Sequence, residues 1–367
     1  MDFKLVTRVP RSFALVAAIG LAVALPALAQ KSFSILDKWK VGGEGGWDYL
    51  VADSAAHRIY ITHGTRLEVI DSSSGKSIGA ITGLKGIHGV ALDDTGKYGY
   101  ISDGGANAVV VFDRQSLQTV ASIPAGTGPD GIAFEPVTKT VWAFNGRSRN
   151  ATVINTATQK VIATVALPGR PEFPVADGKG NVYDNIEDKS EIVRLDAKDP
   201  KVTATWPLSP CEGPSGLAID RDGNRLFAVC DEKKMAVVDA HTGKVIATPT
   251  IGDHPDAAAY DPKTKLAFSS NGDGTLTIID AGNSSYKVLQ NLTTEKGART
   301  MALDSEAGKV YLVTAKTATG SKEKEAAPPI RPEGNAGIPG PPPAGNGPGS
   351  RPAYVADSFS VLVAGQQ

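Results

Sequence analysis

Seven residues recur at nearly constant spacing along this sequence, and their side chains could bind an ion or a polar ligand if the fold brings them together. The steps between them are 40, 42, 42, 43, 41 and 43 residues. The set holds four carboxylates, one imidazole, one hydroxyl and one guanidinium: Asp48, His88, Asp130, Glu172, Ser215, Asp256 and Arg299. Like charges held close together in a partly desolvated place raise one another's pKa or recruit a cation.

The residues alone leave three interpretations of this set open. The first is a water-filled channel, which needs polar side chains along its wall. The second is one divalent cation, because oxygen ligands with at most one imidazole suit Ca²⁺, Mg²⁺ or Mn²⁺ better than a structural zinc. The candidate ligands for that cation are Asp48, His88, Asp130, Glu172 and Asp256. The third is recognition of a small polar ligand, in which Arg299 contacts an anionic group.

Each of the seven residues lies at the start of a short repeat with the pattern of a β-strand. The repeat begins at a turn, usually marked by Gly or Pro, and runs through small apolar residues to an acidic residue, as in GWDYLVAD, GPDGIAFE and GPSGLAID. Further apolar strands follow between Gly, Asp and Asn turns, which predicts antiparallel meanders. A period near 40 residues with only strand-like content predicts one four-stranded blade in each repeat. The sequence therefore predicts an all-β fold, a seven-bladed β-propeller.

The first strand of every propeller blade lines the central channel, so we expect the seven residues to converge at one mouth. The second strand of each blade ends nearby and supplies a further set: His63, Asp103, Asn145, Cys230 and Asn271. Because blades 1 and 2 are neighbours, we expect His63 and His88 to lie close together. The predicted ligand-binding residues are Asp48, His63, His88, Asp130, Glu172, Asp256 and Arg299.

The last blade is predicted to be built from both ends of the chain. After the strand at 309–314, the pattern resumes only at 358–363, which matches a third strand. Residues 33–42 (FSILDKWKVG) have the pattern of a fourth strand. We therefore expect N-terminal and C-terminal strands to pair in one blade, which leaves the ring without an open seam.

A segment of about residues 316–352 interrupts this last blade. Residues 328–352 contain nine of the 24 prolines, and such a composition cannot bury a core and is expected to be extended and mobile. It joins the second strand to the third, so we expect it on the face that carries the seven residues. An inert insertion, a flap over the mouth and a docking arm for a partner all fit this position.

Residues 1–29 have the pattern of a cleaved signal peptide. A basic start is followed by an apolar run at 13–26 and an Ala27-Leu28-Ala29 cleavage site. The run is too short to span a membrane comfortably, although an uncleaved anchor is the alternative. We expect export to the periplasm or the cell surface, with residues 30–367 forming one propeller domain without a transmembrane segment. The formal net charge of -1 gives no general attraction for nucleic acid, and we expect a monomer.

Two cysteines, Cys211 and Cys230, fall in the fifth repeat. Exported proteins can oxidise such a pair. If the intervening hairpin turns near Asp222-Gly223, Cys230 lies opposite about Ser215, and Cys211 reaches it only if its loop folds back. The sequence leaves open whether the two residues form a disulfide or stay separate thiols. No Cys-x-x-Cys motif is present, so thioredoxin chemistry is not indicated.

The repeats resemble those of the YVTN-repeat β-propeller family. The similarity is clearest in VASIPAGTGPDGIAF, ATVINTATQKVIATVALPG and GPSGLAIDRDGNRLFAV, and it covers about residues 33–315 and 353–365. The tetrapeptide YVTN itself does not occur; its nearest versions are YITH at 60–63 and YISD at 100–103. The resemblance implies an exported or surface propeller. It implies no catalytic residues, because the motif consists of strand and turn residues.

Two functional hypotheses follow, beside a third possibility, a purely structural envelope protein. The leading one is a non-catalytic exported binding protein that engages a partner or a small polar ligand around the channel mouth, since the chain shows no serine-hydrolase elbow, zinc-protease motif or dinucleotide fingerprint. The alternative is a divalent-metal-dependent lyase or lactone hydrolase, in which the cation polarises a carbonyl and His88 is the general base. That alternative requires His88 and several of the carboxylates within ligand reach of one point.

Overall fold

A computed structural model of the chain describes residues 1–2, 32–318 and 354–366. The described strands form seven antiparallel sheets of four strands each. The sheets are the blades of a propeller, so the predicted all-β, seven-bladed architecture is confirmed. Apart from a single 3₁₀ turn at Glu187–Lys189, the described residues contain no helix.

The strands follow one another from the channel outward in six of the blades, and β1 belongs to blade 7. The first half of the ring consists of β1 (Phe33–Lys40); blade 1, β2 (Trp47–Asp53), β3 (Arg58–His63), β4 (Arg66–Asp71) and β5 (Ser77–Ile81); blade 2, β6 (Ile87–Leu92), β7 (Tyr98–Asp103), β8 (Ala108–Asp113) and β9 (Thr119–Pro124); and blade 3, β10 (Pro129–Glu135), β11 (Thr140–Asn145), β12 (Asn150–Asn155) and β13 (Lys160–Ala166). The second half consists of blade 4, β14 (Pro171–Ala176), β15 (Asn181–Ile186), β16 (Glu191–Asp196) and β17 (Lys201–Pro207); blade 5, β18 (Pro214–Asp220), β19 (Arg225–Cys230), β20 (Lys234–Asp239) and β21 (Val245–Ala247); blade 6, β22 (Pro255–Asp261), β23 (Leu266–Asn271), β24 (Thr275–Asp280) and β25 (Val288–Thr293); and blade 7, β26 (Thr300–Asp304), β27 (Lys309–Thr314) and β28 (Ser360–Gln366) with β1.

The hydrophobic core lies between the blades. Successive side chains of a strand point to opposite faces of its sheet, and both faces of each blade are apolar. In β11, Trp142 and Phe144 pack toward blade 4, whereas Val141 and Ala143 pack toward blade 2. The buried apolar residues accordingly form seven clusters, and each cluster joins two neighbouring blades. This packing holds the seven innermost strands around the channel.

The ring closes in blade 7 as predicted. The N-terminal β1 pairs antiparallel with the C-terminal β28, and the order in the sheet is β1-β28-β27-β26. Near one end of β1, the Phe33 ring contacts Phe268 of blade 6, with ring centroids 5.4 Å apart. Near the other end, Trp39 packs in the apolar cluster that blade 7 shares with blade 1. The two chain ends therefore share one sheet and bind the neighbouring blades together.

Cys211 and Cys230 form a disulfide, which decides between the two alternatives left open by the sequence. The partner opposite Cys230 in the ladder is Pro214, one residue from the predicted position. The loop before it turns back through a hydrogen bond from the Cys211 N–H to the Leu208 carbonyl, at 2.9 Å. Both cysteines are fully buried, so the bond fixes this loop against the top of blade 5.

Two sequence predictions fall largely outside the described residues, namely the signal peptide at 1–29 and most of the inserted segment at 316–352. The flanks of the insert are described, and Thr317 forms a bridge with Tyr354. In the described part of the chain, no helix is long and apolar enough to cross a membrane.

Candidate functional site

The recurring residues occupy one structural position around the channel mouth. Six of them are the second residue of the innermost strand of their blade, and Arg299 directly precedes the innermost strand of blade 7. In blades 1 to 6, the pairing register between the first and second strands shifts next to this position. Such irregularities re-aim side chains. We call the seven residues the mouth ring, and the face that carries them the top face.

The backbone of the mouth ring is held by side chains of the preceding blade. The Thr62 hydroxyl donates to the carbonyl of His88 at 2.9 Å, and the Asn185 amide donates to that of Ser215 at 2.7 Å. The hydroxyls of Ser102 and Ser270 donate in the same way to the carbonyls of Asp130 and Arg299. Each donor is the next-to-last residue of a second strand. Four of the seven ring positions are therefore fixed by the adjacent blade.

Three residues of the mouth ring form one cluster. The Nδ1 atom of His88 lies 2.7 Å from Oδ2 of Asp48 and 3.5 Å from Oδ1 of Asp130. One donor atom from each residue lies within 4.8 Å of the others. All three side chains are partly exposed, so the cluster is open to the top face. Two carboxylates and an imidazole at this separation fit either a shared proton or a small divalent cation.

Glu172 makes a different contact, across the channel. Its Oε1 accepts a hydrogen bond from the Tyr49 hydroxyl at 3.3 Å, although the two residues belong to blades 4 and 1. The rings of Tyr49 and Phe173 also meet edge to face, with centroids 4.7 Å apart. Side chains from opposite blades thus contact each other across the channel. The rings in contact belong to residues one position after the mouth ring in the innermost strands. Tyr49, Phe173 and Glu172 therefore bridge the channel directly below the mouth ring.

Asp256 pairs with Arg299, and neither belongs to the cluster around His88. The distance from Nη1 of Arg299 to Oδ2 of Asp256 is 3.2 Å. The Asp256 side chain is 11% exposed, whereas that of Arg299 is 51% exposed. Of the five metal ligands predicted from the sequence, the structure therefore brings together Asp48, His88 and Asp130, while Glu172 and Asp256 have other partners.

Burial raises the pKa of three carboxyls in the mouth ring. It raises the pKa of Asp130 to about 6 and that of Asp256 to about 6, and the positive charges of His88 and Arg299 respectively oppose these shifts. The pKa of Glu172 rises to about 8, first through burial and then through the negative charges of Asp130 and Asp256. Burial likewise raises the pKa of Tyr49 well above its usual value, so its hydroxyl stays a donor to Glu172.

These shifts predict a pH-dependent stability. A raised folded-state pKa means that the folded protein holds a proton that the unfolded chain has released. The resulting stabilisation is complete below the unfolded pKa of about 4 and is lost as the pH rises to about 8, the folded pKa of Glu172. Glu172→Gln removes the Glu172 contribution. The measured quantity is the melting temperature of the variant minus that of the unsubstituted protein. We expect this difference to be more positive at pH 8.5 than at pH 5, by about 2 °C or more.

Glu306→Gln is the matched control for this measurement, because the Glu306 side chain is 72% exposed. Its melting temperature should follow that of the unsubstituted protein at both pH values. Parallel pH profiles for the Glu172 variant and the unsubstituted protein would contradict the prediction.

Two cavities open on the top face, and they differ in charge. The smaller, of about 380 Å³, is mainly acidic, with Glu172, Glu187, Asp231 and Asp256 in its lining beside Arg299. The larger, of about 780 Å³, is mainly basic and is lined by Lys85, Arg147, Arg149 and Arg170, with His88 at its edge. We call them the acidic pocket and the basic groove. Asp130 and Arg170 line both, so the cavities meet at this point.

The prediction that His63 joins the mouth is wrong. Its side chain is fully buried and stacks on Phe359, with ring centroids 4.1 Å apart. The physical reason is strand alternation, because Thr62 points toward blade 2 and the next residue must point back toward blade 7. His63 and His88 therefore lie on different sides of the first blade's second strand.

The rest of the second set is also structural. Asp103 accepts hydrogen bonds from the backbone N–H groups of Lys85 and Ala106, and it is buried. Asn145 and Asn271 are buried and donate within their own hairpins, to Asn150 and Thr275 respectively. Cys230 is in the disulfide. These residues shape the loops of the top face without entering either cavity.

Sequence reasoning missed three residues near the mouth. Tyr49 and Phe173 follow ring residues directly, and only their contact across the channel reveals their role. The third is Asp184, a fully buried carboxyl beside the backbone of Glu172. Burial raises its pKa well above the usual value, and the charge of Glu172 adds to the shift. A sequence signal existed for Asp184, since the matching position is mostly apolar in other blades, as with Ile61 and Leu312.

Comparison with known proteins supports the fold and nothing finer. No protein-family profile and no curated sequence matches the chain. Among solved structures, the chain is similar to hydrazine synthase of Kuenenia stuttgartiensis, with a TM-score of 0.66 and 15% identity over 73% of this chain and 92% of that one. It is also similar to U3-55K, with a TM-score of 0.69 and 10% identity over 90% of this chain and 98% of that one. At such identities only the propeller fold is shared, and membership of the YVTN-repeat family stays a prediction.

Proposed function

We propose that this chain is an exported binding protein, periplasmic or on the cell surface, that takes a small polar ligand at the channel mouth on its top face. The observation that carries the proposal is the joining of the acidic pocket and the basic groove at the channel mouth, above the contact of Tyr49 with Glu172. Ligand sites are commonly concave, with volumes of about 300–1,000 Å³, and both cavities lie in that range.

The rigidity of the mouth supports this role. Four ring positions are fixed by hydrogen bonds from neighbouring blades, and the disulfide holds the loop that carries Gly213 into the acidic pocket. A site that is already formed loses little conformational entropy when its ligand binds. Export rests on the leader pattern of residues 1–29 and is consistent with a disulfide, which persists in oxidising compartments.

The direct test is a binding screen with matched variants. We expect at least one compound in a panel of carboxylates, phosphates, amines, amino acids and sugars to raise the melting temperature and to bind in calorimetry. His88→Gln and Asp256→Asn alter the two sides of the mouth. His241→Ala, an exposed histidine in the turn between β20 and β21 on the opposite face, is the control.

We expect at least one mouth variant to weaken binding about tenfold or more, since a hydrogen bond to a charged group contributes about 1.5–3 kcal/mol, while the control binds normally. A panel without any binder would overturn the proposal, and so would a binder that neither mouth variant affects.

The cluster of Asp48, His88 and Asp130 supports a second candidate, the divalent-metal-dependent lyase or lactone hydrolase. Their donor atoms lie within 4.8 Å of one another, and two carboxylates with one imidazole form a donor set suited to Mn²⁺ or Mg²⁺. A cation there would polarise a carbonyl oxygen of a substrate. Asp48 lies 2.7 Å from Nδ1 of His88, so in this candidate His88 is either a ligand of the cation or the general base that Asp48 orients.

Elemental analysis of protein purified without chelator tests this second candidate. It predicts one divalent ion per chain and a melting temperature that EDTA lowers, with both effects absent in Asp130→Asn. Asp94→Asn, an exposed carboxylate that pairs with Lys139 away from the mouth, is the control. Protein free of metal whose melting temperature is unchanged by EDTA or by added Ca²⁺, Mg²⁺ and Mn²⁺ would eliminate the candidate.

A further inference from the structure

We infer that the basic groove binds a small organic dianion, with two carboxylate groups or one phosphate, and that Lys85 and Arg147 are the residues that hold it. This inference deepens the proposed function and rests on it, because it names the ligand class and the part of the mouth that binds it. The groove lies over blades 2 to 4 and reaches His88 and Asp130 at its inner edge.

The charges of the groove are unequally satisfied within the protein. Arg149 pairs with Asp188, at 3.1 Å from Nη2 to Oδ2, and Arg170 pairs with Glu187. Lys85 and Arg147 form no ion pair with any carboxylate among the described residues. Two cationic side chains that line one cavity and lack acidic partners leave two positive charges for a ligand to neutralise. Charge-assisted hydrogen bonds from such groups to carboxylate or phosphate are about twice as strong as neutral ones.

Glycines keep the floor of the groove open. A Cβ atom on Gly104 would lie 2.9 Å from Nε2 of His88, and one on Gly128 would lie 3.1 Å from Cγ of Arg147. Any side chain at these positions would occupy space beside the histidine or the arginine. Five of the residues that line the groove are glycines, so a ligand can approach both the backbone and these two side chains.

One position of the repeat differs between the blades that form the two cavities. The residue that follows the second strand is glycine in blades 2 and 3, at Gly104 and Gly146, but acidic in blades 4 and 5, at Glu187 and Asp231. The glycines line the basic groove and the acidic residues line the acidic pocket. The same structural position thus adds two negative charges to the acidic pocket and none to the basic groove.

The groove, and not Arg299, is the favourable place for an anion. Arg299 is paired with Asp256 and lies in the acidic pocket, where four carboxylates besides Asp256 line the wall. An anion there would meet net negative charge. We therefore assign the anion contact to the basic groove, about two blades away, and not to Arg299 as in the sequence interpretation.

Calorimetry with defined anions tests the inference. The probes are the dianions succinate and glycerol 2-phosphate, together with citrate, which carries a third carboxylate, and succinamide and glycerol are the neutral counterparts. We expect at least one anion to bind, its affinity to fall with added salt because the groups are exposed, and the neutral compounds not to bind. The arms separate the two chemistries, since succinate and citrate report on carboxylates and glycerol 2-phosphate on a phosphate.

Two pairs of variants identify the site. Lys85→Ala/Arg147→Ala should weaken anion binding about tenfold or more, whereas Lys160→Ala/Lys244→Ala, which removes the same charge from exposed residues elsewhere, should leave it nearly unchanged. Gly146→Glu places in blade 3 the residue that blade 4 has at Glu187, and it should abolish binding. Gly146→Gln, of the same size but neutral, should bind the anion far better than Gly146→Glu. A Cβ at Gly146 would meet nothing closer than 3.8 Å, so both variants should fold.

The outcomes separate this inference from the proposed function. If a compound of the broader panel binds through His88 or Asp256 while none of the three anions binds, the anion inference fails and the proposed function stands. Equal binding of succinate and succinamide, or equal weakening by the two double variants, would also overturn the inference. If nothing in either experiment binds, both proposals fail together.

Discussion

A chain that begins after residue 40, and so lacks β1, is expected to lose cooperative folding altogether. The reason is that β1 supplies the outer strand of blade 7 and contributes the buried side chains of Phe33 and Trp39. Truncating a buried large aromatic residue costs about 3–5 kcal/mol, and a whole domain is stable by only about 5–15 kcal/mol. The deletion also removes the hydrogen bonds between Gln290 and the backbone of Phe33, at 2.9 and 2.8 Å.

The measurement is thermal and urea unfolding of residues 41–367 against a parent of residues 32–367. We expect a sharp transition for the parent and a broad or absent one for the truncated chain, which also exposes β28 as an unpaired edge prone to aggregation. Point variants grade the effect, because Trp39→Ala should cost about 3–5 kcal/mol and Lys40→Ala, on an exposed side chain, close to nothing. A truncated chain that unfolds as cooperatively as its parent would show that closure through β1 is dispensable.

Removal of the disulfide is expected to lower the free energy of unfolding by about 3 kcal/mol. Cys211 and Cys230 are separated by 19 residues, and the bond restricts that loop in the unfolded chain. Cys211→Ala/Cys230→Ala is the preferred variant, because both sites are fully buried and a serine hydroxyl would need a new partner there. Chemical denaturation of the oxidised protein and of this variant measures the difference.

The same variant links stability to the site. Gly213 lines the acidic pocket two residues after Cys211, so we expect compounds that bind in this pocket to lose affinity and those in the basic groove to keep it. Unsubstituted protein treated with dithiothreitol is the control, and it should resemble the variant. Substitutions at surface positions usually change stability by no more than about 0.5 kcal/mol. A loss of stability below that value would mean that the other contacts of the loop hold it without the disulfide.

The sequence by itself determined the architecture, because the fold repeats seven times and each repeat carries its own strand and turn signals. The period near 40 residues predicted the blades, and the strand pattern of residues 33–42 predicted that the N-terminus completes blade 7. These features are local and recur, so an error in one repeat is corrected by the other six. The same redundancy predicted that Asp48, His88 and Asp130 lie at one height around the channel. In the structure, one donor atom from each of these residues lies within 4.8 Å of the others.

The tertiary structure alone decided what each side chain faces. His63 and Thr62 are adjacent in sequence, yet one stacks on Phe359 in blade 7 and the other donates to His88 in blade 2. Strand alternation requires the two side chains to point to opposite faces of the sheet, but it does not determine which of them points toward blade 2. The contact of Tyr49 with Glu172 and Phe173 joins blades that are 123 residues apart in the chain. Such pairings depend on ring closure and on the register of every blade between them. The division of the mouth into an acidic pocket and a basic groove has the same origin, because residues from several blades set the charge of each cavity, and no single repeat contains that information.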